Sequence, residues 1–128
     1  MLLFRAISAD EYDKLMKGEK IVGEKDFSTY YRDTTSRGIC FFKVDSLDDD
    51  EILVKDRYEG INRYVNIDTI LQLTGNYHTY KYGIFIEVPD DRGLRAHGTY
   101  QSDRCLYTVP EICFKAYRKG VVKKVITL

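Results

Sequence analysis

The sequence predicts an α+β fold: a split, mostly antiparallel sheet with two or three short helices, in a single domain spanning residues 1–128. Three observations carry this. Strand-like segments outnumber helical ones and gather in the second half of the chain. Turn-forming clusters join the late strands directly, where a parallel sheet would need helical crossovers. The length is enough for one hydrophobic core without disulfides or metals to staple it.

Taken in order, residues Leu2 to Ile7 alternate as a strand, with Leu3, Arg5 and Ile7 on one face and Leu2, Phe4 and Ala6 on the other. Ser8 ends it and starts a helix. Ser8 and Glu11 have the spacing of a capping box, Asp10 and Glu11 suit the positive end of the helix dipole, and Tyr12, Leu15 and Met16 form its apolar stripe. Gly18 is the expected stop.

Ile21 and Val22 suit a short strand. From Phe27 to Arg37 the chain has no apolar period but carries hydroxyls, aromatics and two arginines, the composition of a functional loop. Ile39 to Val44 is almost continuously apolar and predicts a strand covered on both faces. The acidic run Asp45 to Glu51 lacks the turn glycine and alternating ligands of a calcium loop, so it is expected to be a solvated loop or a helix start.

Arg57 to Gly60 is a turn, and Asn66 caps a second helix over Ile67 to Leu73, with Gly75 as its stop. Tyr80 to Val88 is the clearest strand, with Ile84, Ile86 and Val88 aligned and Phe85 and Glu87 opposite. Leu94 to Arg104 is polar around Gly98 and fits a loop or an irregular strand. In the closing segment, Ile112, Phe114 and Ala116 are expected on one face and Glu111, Cys113, Lys115 and Tyr117 on the other. Arg118-Lys119-Gly120 then turns a hairpin into Val121 to Leu128.

Composition narrows the function. Twenty basic residues balance twenty acidic ones, so there is no global field for nucleic acid or an anionic membrane. The Met-Leu-Leu-Phe-Arg start has neither the charged region nor the apolar run of a signal peptide, and a cytoplasmic location is expected. Cys40, Cys105 and Cys113 form an odd set without a CxxC pair and are expected as reduced, buried thiols. No metal site is expected, because the spacing is wide and His78 and His97 stand alone. Nucleotide-hydrolase and metal-hydrolase motifs are absent.

Two residues remain as candidates for chemistry. Arg5, between Phe4 and Ala6, offers a planar fork suited to phosphate; the plainer alternative is a strand arginine with its stem packed and its head in water. Glu111 follows Pro110 at a strand entrance. A carboxylate there can stabilise positive charge at an anomeric carbon, or simply be solvated.

The stretch Phe4-Arg5-Ala6-Ile7-Ser8 resembles the opening strand of the ADP-ribosyltransferase-like fold. Gly38-Ile39-Cys40-Phe41-Phe42 is similar to the Gly-x-x-Phe-Phe strand of its small bacterial and phage members. Tyr107 to Ile112, through Lys124-Val125-Ile126, resembles their acid-bearing strand and final hairpin. The resemblance implies a split antiparallel sheet that binds NAD as a substrate. Arg5 would support the dinucleotide phosphates and Glu111 would be the catalytic acid on the nicotinamide ribose. Ser28 or Ser36 would be the serine of the middle motif, and Tyr31 or Phe42 would pack the nicotinamide. The chain departs from the pattern in lacking a Ser-Thr-Ser triplet and in carrying Val109 where a polar residue precedes the acid by two places.

These expectations leave competing functions. One is transfer of ADP-ribose from NAD to a protein or other acceptor. Another is a non-catalytic module that binds a nucleotide, a protein partner or single-stranded nucleic acid by stacking on its tyrosines, the last disfavoured by the neutral net charge. A third is an assembly protein whose last strand pairs with a second copy. A shared cavity for Arg5 and Glu111 would favour the first.

Overall fold

A computed structural model describes residues 1–23 and 38–128. The protein is mostly antiparallel β, with two short helices, and eight of its strands form one curled sheet that makes a half-barrel. The strands are β1 (Leu2–Ser8), β2 (Ile21–Val22), β3 (Ile39–Val44), β4 (Glu51–Asp56), β5 (Ile61–Asn66), β6 (Tyr80–Glu87), β7 (Leu94–Gln101), β8 (Leu106–Phe114), β9 (Ala116–Tyr117) and β10 (Val122–Thr127), and the helices are α1 (Ala9–Met16) and α2 (Ile67–Gln72). The large sheet runs β10-β6-β1-β3-β8-β4-β5, β7 lies against β8, and β2 with β9 makes a separate ribbon.

Partial pairing is what curls the sheet. β1 pairs with β6 along its whole length but with β3 only from Leu2 to Phe4. Beyond that point β3 turns to β8, where Ile39 to Phe42 lie opposite Phe114 to Glu111. Phe42 is therefore held by Phe4 on one side and Glu111 on the other. β7 follows one edge of β8 from Leu106 to Cys113. The other edge is shared, since β4 takes only Tyr107 and Thr108. Pro110, with no N–H to give, falls between these two partners.

Alternation sorts the core into two layers. Phe4, Ala6, Phe42, Val44, Ile52, Val54, Phe85 and Val109 pack under α2 through Ile67, Ile70 and Leu71. Leu3, Ile7, Phe41, Ile84, Ile86 and Ile112 pack under α1 and the small ribbon through Leu15, Ile21 and Tyr117. Each helix covers one face of the sheet. The two-sided burial expected for β3 follows, with Phe41 and Phe42 in opposite layers.

Both helix starts agree with the sequence. The Glu11 N–H donates to Ser8 Oγ at 3.2 Å, and the Asp68 N–H to Asn66 Oδ1 at 2.8 Å. Gly18 takes φ 84°, as a helix stop requires. The capping box is only half made, because the Glu11 side chain turns to Arg5 instead of its cap. The acidic run is a loop up to Asp50, where the Asp49 carboxylate accepts from the Asp45 and Ser46 N–H groups, and Glu51 already begins β4.

The closing segment departs most from expectation. Residues 94–101 are a regular strand, β7, and β8 ends at Phe114 instead of running on through Tyr117. Ala116 and Tyr117 leave the sheet to pair with Val22 and Ile21. This break puts Tyr117 in the layer of Ile112, opposite to the face that unbroken alternation assigns. The final hairpin is absent: β10 pairs with β6, from Val122 opposite Ile86 to Thr127 opposite Tyr82. The edge of β6 left open by β1 supplies the partner.

Candidate functional site

Glu111 is an acid in the apolar layer under α2, with 4% of its surface exposed. Its place follows from register. Phe42 lies opposite on β3 and Ala96 opposite on β7, so the carboxyl is walled by two neighbouring strands. Tyr100, further along β7, donates its hydroxyl to Glu111 Oε1 at 2.6 Å. The Tyr100 ring also meets Phe42 edge-on, at 5.9 Å between centroids. Among the described residues, Oε2 of Glu111 receives no hydrogen bond.

Gly98 makes this arrangement possible. A Cβ at that position would land on Glu111 Oε1 and within 2.6 Å of the Tyr100 ring. A glycine inside a strand is the sequence signal for such a close approach. It marks β7 as part of the cavity wall, beyond the residues that the sequence motifs point to.

Phe4, Arg5, Ala6, Cys40, Phe42, Leu71, Thr74, Tyr80, Tyr100 and Glu111 line a cavity of about 120 Å³. It lies where β1 and β3 stop pairing. Arg5 and Glu111 thus border one hollow although their strands direct them to opposite layers. Arg5 reaches the gap between the strands, where Nη1 donates to the Cys40 carbonyl at 3.3 Å.

Most of the guanidinium is already engaged. Nε and Nη2 of Arg5 each donate to Glu11 at 2.9 Å, a two-pronged pair, and the Tyr117 hydroxyl donates to the same carboxylate. Burial alone would raise the Glu11 carboxyl, but the Arg5 hydrogen bonds and charge, with the Tyr117 hydroxyl, hold it below the usual carboxylate range. Burial and the Glu11 carboxylate push the Tyr117 hydroxyl well above the ordinary tyrosine value. At Glu111 burial wins: its carboxyl is raised, against the opposing pull of the Tyr100 hydrogen bond and the Arg5 charge. Acids that act on ligands are found in such settings, as are purely structural buried acids.

Cys40 and Cys113 stand opposite each other across β3 and β8, with Cα atoms 4.2 Å apart, and form a disulfide. This corrects the expectation of three reduced thiols; Cys105 alone is free. The partners are 73 positions apart, a separation at which only register can align them. Their sulfurs and a Glu111 oxygen lie within 4.8 Å of one another.

Of the residues singled out in the sequence, Arg5, Phe42 and Glu111 meet at this cavity. Ser28, Tyr31 and Ser36 lie outside the described residues. Val109, where the sequence pattern wants a polar group, is 1% exposed within the apolar layer. A larger hollow of about 460 Å³ runs along Lys43, Glu51, Tyr64, Arg95 and His97. Its polar side chains are exposed and none is a buried acid, whereas the smaller cavity has Glu111 in its wall.

Comparison with known protein families, with characterised proteins and with solved structures finds no match to this chain.

Proposed function

We propose that the chain is an NAD-dependent ADP-ribosyltransferase, with the split sheet its sequence resemblance implies and Glu111 as the acid facing the nicotinamide ribose. The observation that carries this reading is the single cavity bordered by Arg5, Phe42 and Glu111, with the buried carboxyl of Glu111 accepting from Tyr100. The cavity is the size of one ring, which suits the ribose or the nicotinamide and leaves the rest of the dinucleotide outside it.

The chemistry is cleavage of the bond between the ribose anomeric carbon and the nicotinamide nitrogen. The bonding pair leaves with nicotinamide. The ribosyl cation is stabilised by the Glu111 carboxylate, then joins a nucleophile of the acceptor, which gives up a proton. Burial raises the Glu111 carboxyl, and the Tyr100 hydrogen bond and the Arg5 charge limit that rise in favour of the ionised form this step needs. Phe42 and Tyr80 offer apolar surface to the leaving ring.

The test is NAD binding by calorimetry together with nicotinamide release. The proposal expects both from the parent, and for Glu111→Gln it expects binding retained with release reduced about a hundredfold or more. A parent that does not bind NAD overturns it.

A second reading, a binding module without turnover, is favoured by one specific arrangement. Arg5 is already paired with Glu11, and Val109 leaves Glu111 without the polar neighbour two places before it. Parent protein that binds nucleotide without releasing nicotinamide selects this reading.

A further inference from the structure

We propose that Cys40, Cys113 and Glu111 form a site for a thiophilic divalent cation of the zinc class, closed by the disulfide and opened by its reduction. The inference concerns metal binding alone and does not depend on NAD chemistry.

The donor set comes from register. Cys40 and Cys113 are a directly opposed pair on β3 and β8, and Glu111 precedes Cys113 by two residues, so all three point to one face. Their ligand atoms lie within 4.8 Å of each other. Tetrahedral zinc with sulfur and oxygen ligands needs those atoms roughly 3.5–3.8 Å apart, given Zn–S near 2.3 Å and Zn–O near 2.1 Å. Once the sulfur–sulfur bond is gone, side-chain rotation is enough to reach that spacing.

A second observation points to a ligand. Glu111 is 96% buried, counted from its 4% exposure, yet among the described residues its Oε2 has no hydrogen-bond donor. A buried carboxylate oxygen without a partner is costly, and a cation would satisfy it. Two thiolates and a carboxylate select a soft or borderline ion over magnesium or calcium. The adjoining cavity of about 120 Å³ has room for a water as fourth ligand. Two thiolates, one carboxylate and a dication leave one net negative charge, which the Arg5 guanidinium at the Cys40 carbonyl, already paired with Glu11, offsets only in part.

The step balances. A cellular dithiol gives two electrons and two protons to the disulfide and itself becomes a disulfide. The metal then displaces two thiol protons to solvent. Loading the site would draw Glu111 to the metal and away from any other ligand.

The experiment uses the full chain in a Cys105→Ser background, so that only the paired thiols are counted. Zinc uptake is measured against a chromophoric chelator before and after reduction, and Co²⁺ is used as the spectroscopic probe. The expected result is one equivalent of zinc in the reduced protein, none in the oxidised protein, and a thiolate-to-cobalt charge-transfer band. Cys113→Ser should abolish the band. Loss of an outer-shell partner already costs about 10–100-fold in metal affinity, so Glu111→Gln should cost at least tenfold. No zinc uptake after reduction overturns the proposal. So does uptake without the band, or uptake indifferent to Glu111→Gln. The oxidised and reduced comparison needs no substitution at the site and stands if a variant fails to fold.

Discussion

Glu11 and Glu111 are the same residue type, both set into the body of the protein and both touched by a tyrosine hydroxyl. Their environments differ in one respect. Glu11 faces the layer under α1 and accepts from two Arg5 nitrogens and from Tyr117. Glu111 faces the layer under α2, accepts from Tyr100, and has no cation on its oxygens among the described residues. The first carboxyl is held below its ordinary range and the second above it. Glu11 is saturated, which makes it a structural clamp between α1, β1 and β9. Among the described residues Glu111 has one oxygen without a donor, beside a cavity, and the proposed ligand roles rest on that oxygen. Charge pairing separates the two roles, because burial acts on both in the same direction.

The largest effect should come from removing that asymmetry. Arg5→Ala leaves Glu11 buried with only Tyr117, the situation of Glu111. Breaking one partner from a largely buried ion pair costs about 3 kcal/mol, read from urea unfolding of the variant and the parent. The Glu11 carboxyl should also rise, which carboxyl-carbon NMR titration would follow. An unchanged unfolding midpoint would show that the clamp holds nothing together.

Gly98→Ala should be next. The new methyl group meets the Glu111 carboxyl and the Tyr100 ring, and overpacking of this kind costs about 2 kcal/mol. The same variant should displace Glu111 while leaving Glu11 untouched. Titration of both carboxyls in one sample tests whether the two regions are independent.

The smallest effects lie in the pH dependence. Glu11 has a lowered folded pKa, so the unfolded chain binds its proton first as pH falls. Its contribution is therefore present above the unfolded value and lost as pH drops through the folded one. Glu111 has a raised folded pKa, so the folded chain holds the proton longer. Its contribution is full below the unfolded value and lost as pH rises through the folded one. Glu11→Gln should cost less than Arg5→Ala, about 1.5 kcal/mol at neutral pH, because the amide keeps an acceptor oxygen for Arg5. Glu111→Gln should stay within about 1 kcal/mol of the parent or raise stability there. Stability curves from acid to neutral pH should differ from the parent with opposite slopes. Slopes of the same sign would end the contrast.

The sequence by itself determined what depends on neighbouring residues. The alternation of β1 and β6, the caps at Ser8 and Asn66, the stop at Gly18 and the two-sided burial of β3 all follow from side-chain period and local hydrogen bonding. Glu111 stands out in the sequence because it follows Pro110, although the strand entrance expected there is the interior of β8, which begins at Leu106, and Gly98 carries the local signal of a close approach. Tertiary structure decided everything that required two distant segments to meet. The opposition of Cys40 and Cys113, the pairing of Glu11 with Tyr117 across 106 positions, and the choice of β6 as the partner of β10 are of this kind. A strand's period says which side chains share a face. It does not say which edge the strand will join, because many edges offer equivalent backbone hydrogen bonds and only the packing of the whole sheet selects one.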